Sequence, residues 1–190
     1  MEGLGLTYMA QSRFADALPL LREALEGYTQ VLGEEHLATL WVLEGNARTL
    51  ELSGEIEEAE RLYREALDRG RRTLAESDEL IRRVVRHLMN LLMAQGRYDE
   101  AEPLLLEALE VRRGMGGDDH AGTAAILYSL ACIEAVRGDR GKALEWLRQS
   151  VETGFSDADW MARDPDLTSL HGDTDFEAIL AEVKKRIGEE

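Results

Sequence analysis

Apolar residues along this chain recur three and four positions apart, in long runs broken by short polar stretches that carry glycine or paired charges. In "GRYDEAEPLLLEAL" (Gly96 to Leu109) the apolar places are Tyr98, Ala101, Leu105, Ala108 and Leu109. In the preceding "LIRRVVRHLMNLLMAQG" they are Val84, Val85, Leu88, Leu91 and Leu92. Both spacings place one apolar stripe on an α-helix, so the stretch reads as two amphipathic helices joined at Gly96.

The pair is a repeating module. "SRFADALPLLREAL" from Ser12, "GEIEEAERLYREAL" from Gly54, "GRYDEAEPLLLEAL" from Gly96 and "GDRGKALEWLRQSV" from Gly138 align without a gap at a period of 42 residues. Ala17, Ala59, Ala101 and Ala143 keep that register, as do Leu21, Tyr63, Leu105 and Leu147, and then Ala24, Ala66, Ala108 and Ser150. Connectors repeat too: "LGEEHLAT" from Leu32, "LAESDELI" from Leu74, "GGDDHAGT" from Gly116. Small alanines at fixed places let helices approach closely, and larger residues fill the groove between them. One helix pair cannot bury its apolar face alone, so each module must stack on the next.

A period of this length also suits HEAT or armadillo repeats. The pattern small residue, three residues, bulky apolar, two residues, alanine ("AEPLLLEA", Ala101 to Ala108) resembles instead the second helix of tetratricopeptide (TPR) repeats. The "LG-x-E-H" connector and the module length resemble the variety found in kinesin light chains and many bacterial proteins. The resemblance implies an all-α protein: a right-handed α-solenoid of about four helix-turn-helix repeats, in units of about 1–33, 34–75, 76–117 and 118–153, closed by C-terminal capping helices over 154–190. The sequence departs from the family where proline usually follows the connector histidine; Leu37, Glu79 and Ala121 stand there. Asn46 stands where Leu88 and Leu130 do, which predicts a buried amide in need of partners. Gly141 and Ser150 make the fourth unit the loosest.

At the start, only Met1 to Gln11 remain for the first inner helix, about one turn fewer than its counterparts have. Leu4, Tyr8 and Phe14 are then less covered, and the expectation is that the natural protein extends upstream, with an upstream domain of the same chain as one candidate partner, or that the chain is a fragment or has a misplaced start. After Gly154 the repeat gives way to "FSDADWMARDPDLTSLHGDTDFEAILAEVKKRIGEE". Thr174 with Glu177 has capping-box spacing. Phe176, Ile179, Leu180, Val183 and Ile187 mark one face of a last helix, and Asp164-Pro165 reads as another helix start. The segment resembles the tail that closes many bacterial TPR arrays.

Charge narrows the function. With 38 acidic against 22 basic side chains the formal charge is −16, which opposes general nucleic-acid binding. No apolar run approaches the roughly 20 residues that span a bilayer. The single cysteine, Cys132, excludes an internal disulfide and suits a reducing compartment. With arginine far commoner than lysine, a bacterial cytoplasm is the expected setting.

Few stretches suggest chemistry. "GDRGK" (Gly138 to Lys142) lacks the spacer and the hydroxyl of a phosphate loop, and "GMGG" (Gly114 to Gly117) follows no strand. "EEH" (Glu34 to His36) and "DDH" (Asp118 to His120) hold metal-ligand types, but they recur at the repeat period and read as helix caps. Cys132 reads as a small packed residue. No nucleophile–base set and no carboxylate pair has the context of an active site, so no catalytic residue, cofactor or metal is expected.

What remains is the groove side of the first helices. Removing the packed stripe leaves Trp41, Glu44, Gly45, Arg48, Glu51 and Leu52 on the second unit. It leaves Arg83, Arg86, His87, Asn90, Met93 and Ala94 on the third, and Ala125, Tyr128, Ser129, Cys132 and Val136 on the fourth. "RRVVRH" (Arg82 to His87) is a basic centre in an acidic protein, suited to an acidic peptide or a chain terminus. Equally, Arg48, Arg83 and Arg86 could pair with Glu44 and Glu51. The paired asparagines of kinesin-light-chain repeats are replaced by Glu44-Gly45, Arg86-His87 and Tyr128-Ser129. The carboxylate clamp of chaperone-binding repeats is matched only at Arg83, with Glu2, Leu6, Gly45 and His87 at its companion places.

The expected function is a non-catalytic scaffold that binds a protein or peptide through Trp41, Glu44, Arg48, Arg83, Arg86, His87, Asn90 and Tyr128. The alternative is the C-terminal regulatory region of a larger bacterial protein, such as a Ser/Thr kinase or a transcription regulator.

Overall fold

The computed structural model describes residues 2–76, 78–115 and 120–188. Gly116 to Asp119, and the side chains of Glu2, Leu4, Leu6, His120 and Ile187, lie outside the described residues. Among the described residues there are only helices: α1 (Glu2–Ala10), α2 (Phe14–Leu32), α3 (Leu37–Ser53), α4 (Ile56–Gly70), α5 (Glu79–Ala94), α6 (Tyr98–Met115), α7 (His120–Arg137), α8 (Arg140–Thr153), α9 (Ala158–Met161) and α10 (Thr174–Gly188), with a 3₁₀ turn at Pro165–Leu170. They cluster into two compact units, Met1–Arg97 and Tyr98–Glu190. Among the described residues no helix is long and apolar enough to cross a membrane.

In the first unit α1 packs on α2, α2 on α3, α3 on α4 and α4 on α5. In the second, α6 packs on α7, α7 on α8, the 3₁₀ turn on α7, and α10 on α8 and α9. The register read from sequence is the register of burial. Ala17, Ala59, Ala101 and Ala143 are all fully buried, and so are Leu21, Tyr63 and Leu147. The buried Ser150 donates its hydroxyl to the Ala124 carbonyl at 2.8 Å, so α8 meets α7 without an orphaned polar group. Asn46, also buried, donates to the carbonyls of Leu21 (3.0 Å) and Val42 (2.9 Å), tying α3 to α2. Its Oδ1 has no hydrogen-bond partner among the described residues.

Each module turns on one repeated backbone device. The N–H of Arg13, Glu55, Arg97 and Asp139, spaced 42 apart, each reach back five residues to Tyr8, Leu50, Leu92 and Glu134, every time at 2.9 Å. Such a helix end needs a left-handed residue, supplied by Gly54 (φ 89°), Gly96 (φ 69°) and Gly138 (φ 81°). In the first module the place belongs to Ser12 at φ 58°, where a Cβ costs about 1 kcal/mol. Ser12→Gly should therefore raise stability by up to about 1 kcal/mol, read as a higher urea midpoint with an unchanged slope. A lower midpoint would show that the hydroxyl compensates for the strain.

The caps partly follow expectation. His36 is an N-cap, its Nδ1 accepting from the Ala38 N–H at 3.2 Å. Asp164 caps the 3₁₀ turn, with Pro165 at its first position. At α10 the capping side chain is Asp173 and not Thr174: its carboxylate accepts from the N–H groups of Asp175 (2.9 Å) and Phe176 (3.3 Å). Arg140 holds that carboxylate from α8, which fixes the cap one residue earlier than the sequence pattern suggests.

Candidate functional site

In the first unit, α3 and α5 pack together and bring most of the singled-out residues to one place. Glu44 is only 2 % exposed, an expensive position for a carboxylate without compensation. Arg83 supplies it, donating Nε–H to Glu44 Oε1 at 2.8 Å. About two helical turns along α3, Glu51 accepts from Arg48 Nη1 at 2.7 Å and from the Tyr63 hydroxyl at 2.6 Å. His87 lies between the two carboxylates, 3.6 Å from Glu44 and 3.8 Å from Glu51, and stacks on the Tyr63 ring at 5.5 Å.

Burial pulls the His87 imidazole down to about 4, assisted by the positive Arg48, Arg86 and Arg83 and opposed by Glu51. At neutral pH the ring is uncharged. Burial, then the hydrogen bond to Glu51, pushes the Tyr63 phenol up, so it stays a donor. The network thus holds two carboxylates and two guanidiniums in fixed geometry around a neutral ring.

Arg83 is anchored by one edge only. Its guanidinium carbon sits 5.6 Å from the Trp41 ring centroid, within cation–π reach, and its side chain is 38 % exposed. Beside it a cavity of about 180 Å³ is lined by Met9, Leu21, Trp41, Val42, Gly45 and the Glu44–Arg48–Arg83 group. Arg86 and Asn90 lie one turn apart on α5, both exposed.

The pairing of arginines with glutamates, one of the two alternatives open in the sequence, is therefore realised for Arg48 and Arg83. Arg86 has no such partner among the described residues. Glu44 and His87 differ from the sequence reading: both are buried and act by holding Arg83 and Tyr63 in place. Their burial was not legible because a glutamate on a helix reads as solvent-facing.

Tyr128 lies in the second unit and also differs. It is buried, donates its hydroxyl to Asp164 Oδ2 at 2.7 Å and stacks on Phe155 at 4.3 Å. A strap of residues 154–170, which follows α8 and ends in the 3₁₀ turn, covers it. Asp164, 4 % exposed, also lies 3.7 Å from the Cys132 sulfur, and its other oxygen accepts from the Asp166 N–H. Tyr98 donates to Asp166 at 2.9 Å, and Ser169 donates to the Ala135 carbonyl at 2.9 Å. Burial, then Asp164, pushes the Cys132 thiol up; burial and Asp166 push Tyr98 up to about 12.

Ligand atoms of Cys132, Asp164 and Asp166 lie within 4.8 Å of one another. Hydrogen bonds from Tyr128, Tyr98 and backbone already occupy those carboxylates, and the thiol is held protonated. The cluster works as a hydrogen-bonded latch between strap and helix, a role that the sequence reading gave to neither Asp164 nor Asp166.

The tetratricopeptide repeat family model matches residues 1–72 and 84–153. Among solved structures, the nearly identical TPR-like repeats of a Podosopora anserina protein described as a kinesin light chain share 19 % identity, with a TM-score of 0.77, covering 100 % of this chain and 95 % of that one. BtubC (BKLC) from P. vanneervenii is similar at 19 % identity and a TM-score of 0.76, over 98 % and 78 % of the two chains. YrrB, described as a TPR protein with an unusual peptide-binding site, follows at 18 % identity and a TM-score of 0.61, over 97 % and 90 %. At these identities the likeness is one of fold. No curated protein matches the sequence.

Proposed function

Because this chain belongs to the tetratricopeptide repeat family, we propose that it is a non-catalytic scaffold that binds an acidic peptide segment of a partner protein on the α3–α5 side of its first unit. The observation that carries the reading is Arg83: Nε is committed to the buried Glu44, which aims the remaining guanidinium edge outward over Trp41. A guanidinium oriented in this way loses little freedom on meeting a carboxylate. Arg48 and Arg86 add positive charge, and Asn90 adds an amide. Tyr128 is engaged by the strap, so the site is confined to the first unit. The excess of arginine over lysine and the single cysteine support a bacterial cytoplasmic setting.

A displayed peptide library panned against the full chain should enrich acidic sequences. Arg83→Gln should weaken their binding by about tenfold to a hundredfold, the worth of one charge-assisted hydrogen bond, with far-UV circular dichroism unchanged. Calorimetry showing equal affinity for the variant would sink the assignment. Arg83→Glu is unsuitable because it would set a second carboxylate against buried Glu44.

A second reading, a regulatory region attached to a kinase or transcription regulator, is favoured by a trough on α2. It has about 680 Å³ of open space, lined by Ala24, Gly27, Tyr28, Val31 and Leu32 among others, with Val31 80 % exposed. The gene sequence upstream of Met1 tests this directly.

A further inference from the structure

The chain already holds an acidic segment against one of its own inner helices. Within the strap, "DPDL" (Asp164 to Leu167) places the Asp164 carboxylate on α7, where it accepts from the Tyr128 hydroxyl and meets the Cys132 thiol. Tyr128 and Cys132 are four residues apart and therefore neighbours on one helical face. One module earlier, at a separation of 42 in each case, stand Arg86 and Asn90 on α5. Both are exposed, and neither has a hydrogen-bond or ion-pair partner among the described residues.

The module repeats its backbone geometry down to the closing hydrogen bond of each turn. Equivalent positions thus carry side chains in equivalent directions. Where α7 offers one hydroxyl and a thiol to a carboxylate, α5 offers a five-donor guanidinium and an amide, a stronger pair for the same group.

We infer that Arg86 and Asn90 form a binding subsite for an aspartate carboxylate in a partner segment of the "Asp-Pro-Asp-Leu" kind, an acidic stretch whose first aspartate caps a short helical turn. The subsite rests on the proposed peptide-binding function and names its ligand. Asp164 serves both as the internal precedent and as the template for the ligand. Charge complementarity selects this occupant: the guanidinium offers donors only and the amide NH2 adds two more, in a face that also contains Arg83.

The test uses the chain's own sequence as probe. A fluorescein-labelled peptide ARDPDLTSLHG (residues 162–172), blocked at both ends, is titrated into the full chain and followed by anisotropy. Saturable binding that weakens as salt is raised is expected. Arg86→Gln combined with Asn90→Ala should lower affinity about tenfold to a hundredfold, and Asp→Asn at the peptide's first aspartate should do the same. Both substituted residues are exposed, so the fold should survive, as checked by circular dichroism. Absence of saturable binding, or equal affinity for the double variant, overturns the inference. So does loss of binding on Tyr128→Phe alone, which would mean that the peptide only exchanges with the chain's own strap. The two proposals fail separately. Library peptides that depend on Arg83 but ignore Arg86 and Asn90 leave the broader function standing and remove this subsite.

Discussion

Asp164→Ala should destabilise the protein by about 3 kcal/mol, the sum of a lost helix cap near 1 kcal/mol and a buried tyrosine hydroxyl left without its acceptor. The expectation follows from the two oxygens having separate duties: Oδ1 accepts from the Asp166 N–H and Oδ2 from Tyr128. Asp164→Asn should cost less, because an amide oxygen still caps the turn. Tyr128→Phe removes only one of the two duties. Denaturant unfolding of the two single variants, Asp164→Ala and Tyr128→Phe, and of their combination would give a coupling energy. A thiol reagent supplies an independent reading, since Cys132 is buried and held protonated. Its modification should be slow in the native protein and fast in Asp164→Ala. A loss of stability below 1 kcal/mol with Cys132 still protected would mean that apolar burial of Leu167 and Leu170 holds the strap without the latch.

Acid should weaken the first unit through His87. The folded group titrates at about 4 against an ordinary 6.5, so between these values the unfolded chain binds the extra proton. Stability is then greatest above pH 6.5, falls as pH drops, and has lost the whole contribution near pH 4, about 3 kcal/mol in all. The charged groups around the ring are Glu44, Glu51 and Arg48 from α3, and Arg83 and Arg86 from its own helix, with the Tyr63 phenol from α4. The carboxylates pull the other way and are outweighed by burial and the three guanidiniums. His87→Phe keeps a ring against Tyr63 and has no proton to take. Its urea midpoint should vary less between pH 6.5 and pH 4 than that of the natural protein. Parallel pH curves for the two proteins would contradict the assignment, as would a His87 imidazole resonance that titrates near 6.5.

Much of the architecture was legible because packing is periodic. The fully buried alanines at 17, 59, 101 and 143 and the left-handed glycines at 54, 96 and 138 are fixed by the close approach and the turn that every module must make. Polar partners lack that signal. Asp164 and Tyr128 are 36 residues apart and neither type announces burial, so nothing in the pattern joins them. Pairing of Glu44 with Arg83 was one of two alternatives open in the sequence, but the near-complete burial of that carboxylate depends on the packing of α5 beside α3 and has no signal in the pattern. The α10 cap moved from Thr174 to Asp173 for a similar reason: Arg140 selects the carboxylate from another helix.

The latch on α7 also bears on how a gene of this kind changes length. Tyr128 and Cys132 belong to the fourth module, while the equivalent places hold Arg86 and Asn90 in the third and Glu44 and Arg48 in the second. Duplicating the second or third module leaves the strap beside its own acceptor helix. Duplicating the fourth leaves one copy of Tyr128 and Cys132 with no Asp164 to meet it, a buried-type surface abruptly exposed. Growth of the array by recombination should therefore favour its middle and spare its last module.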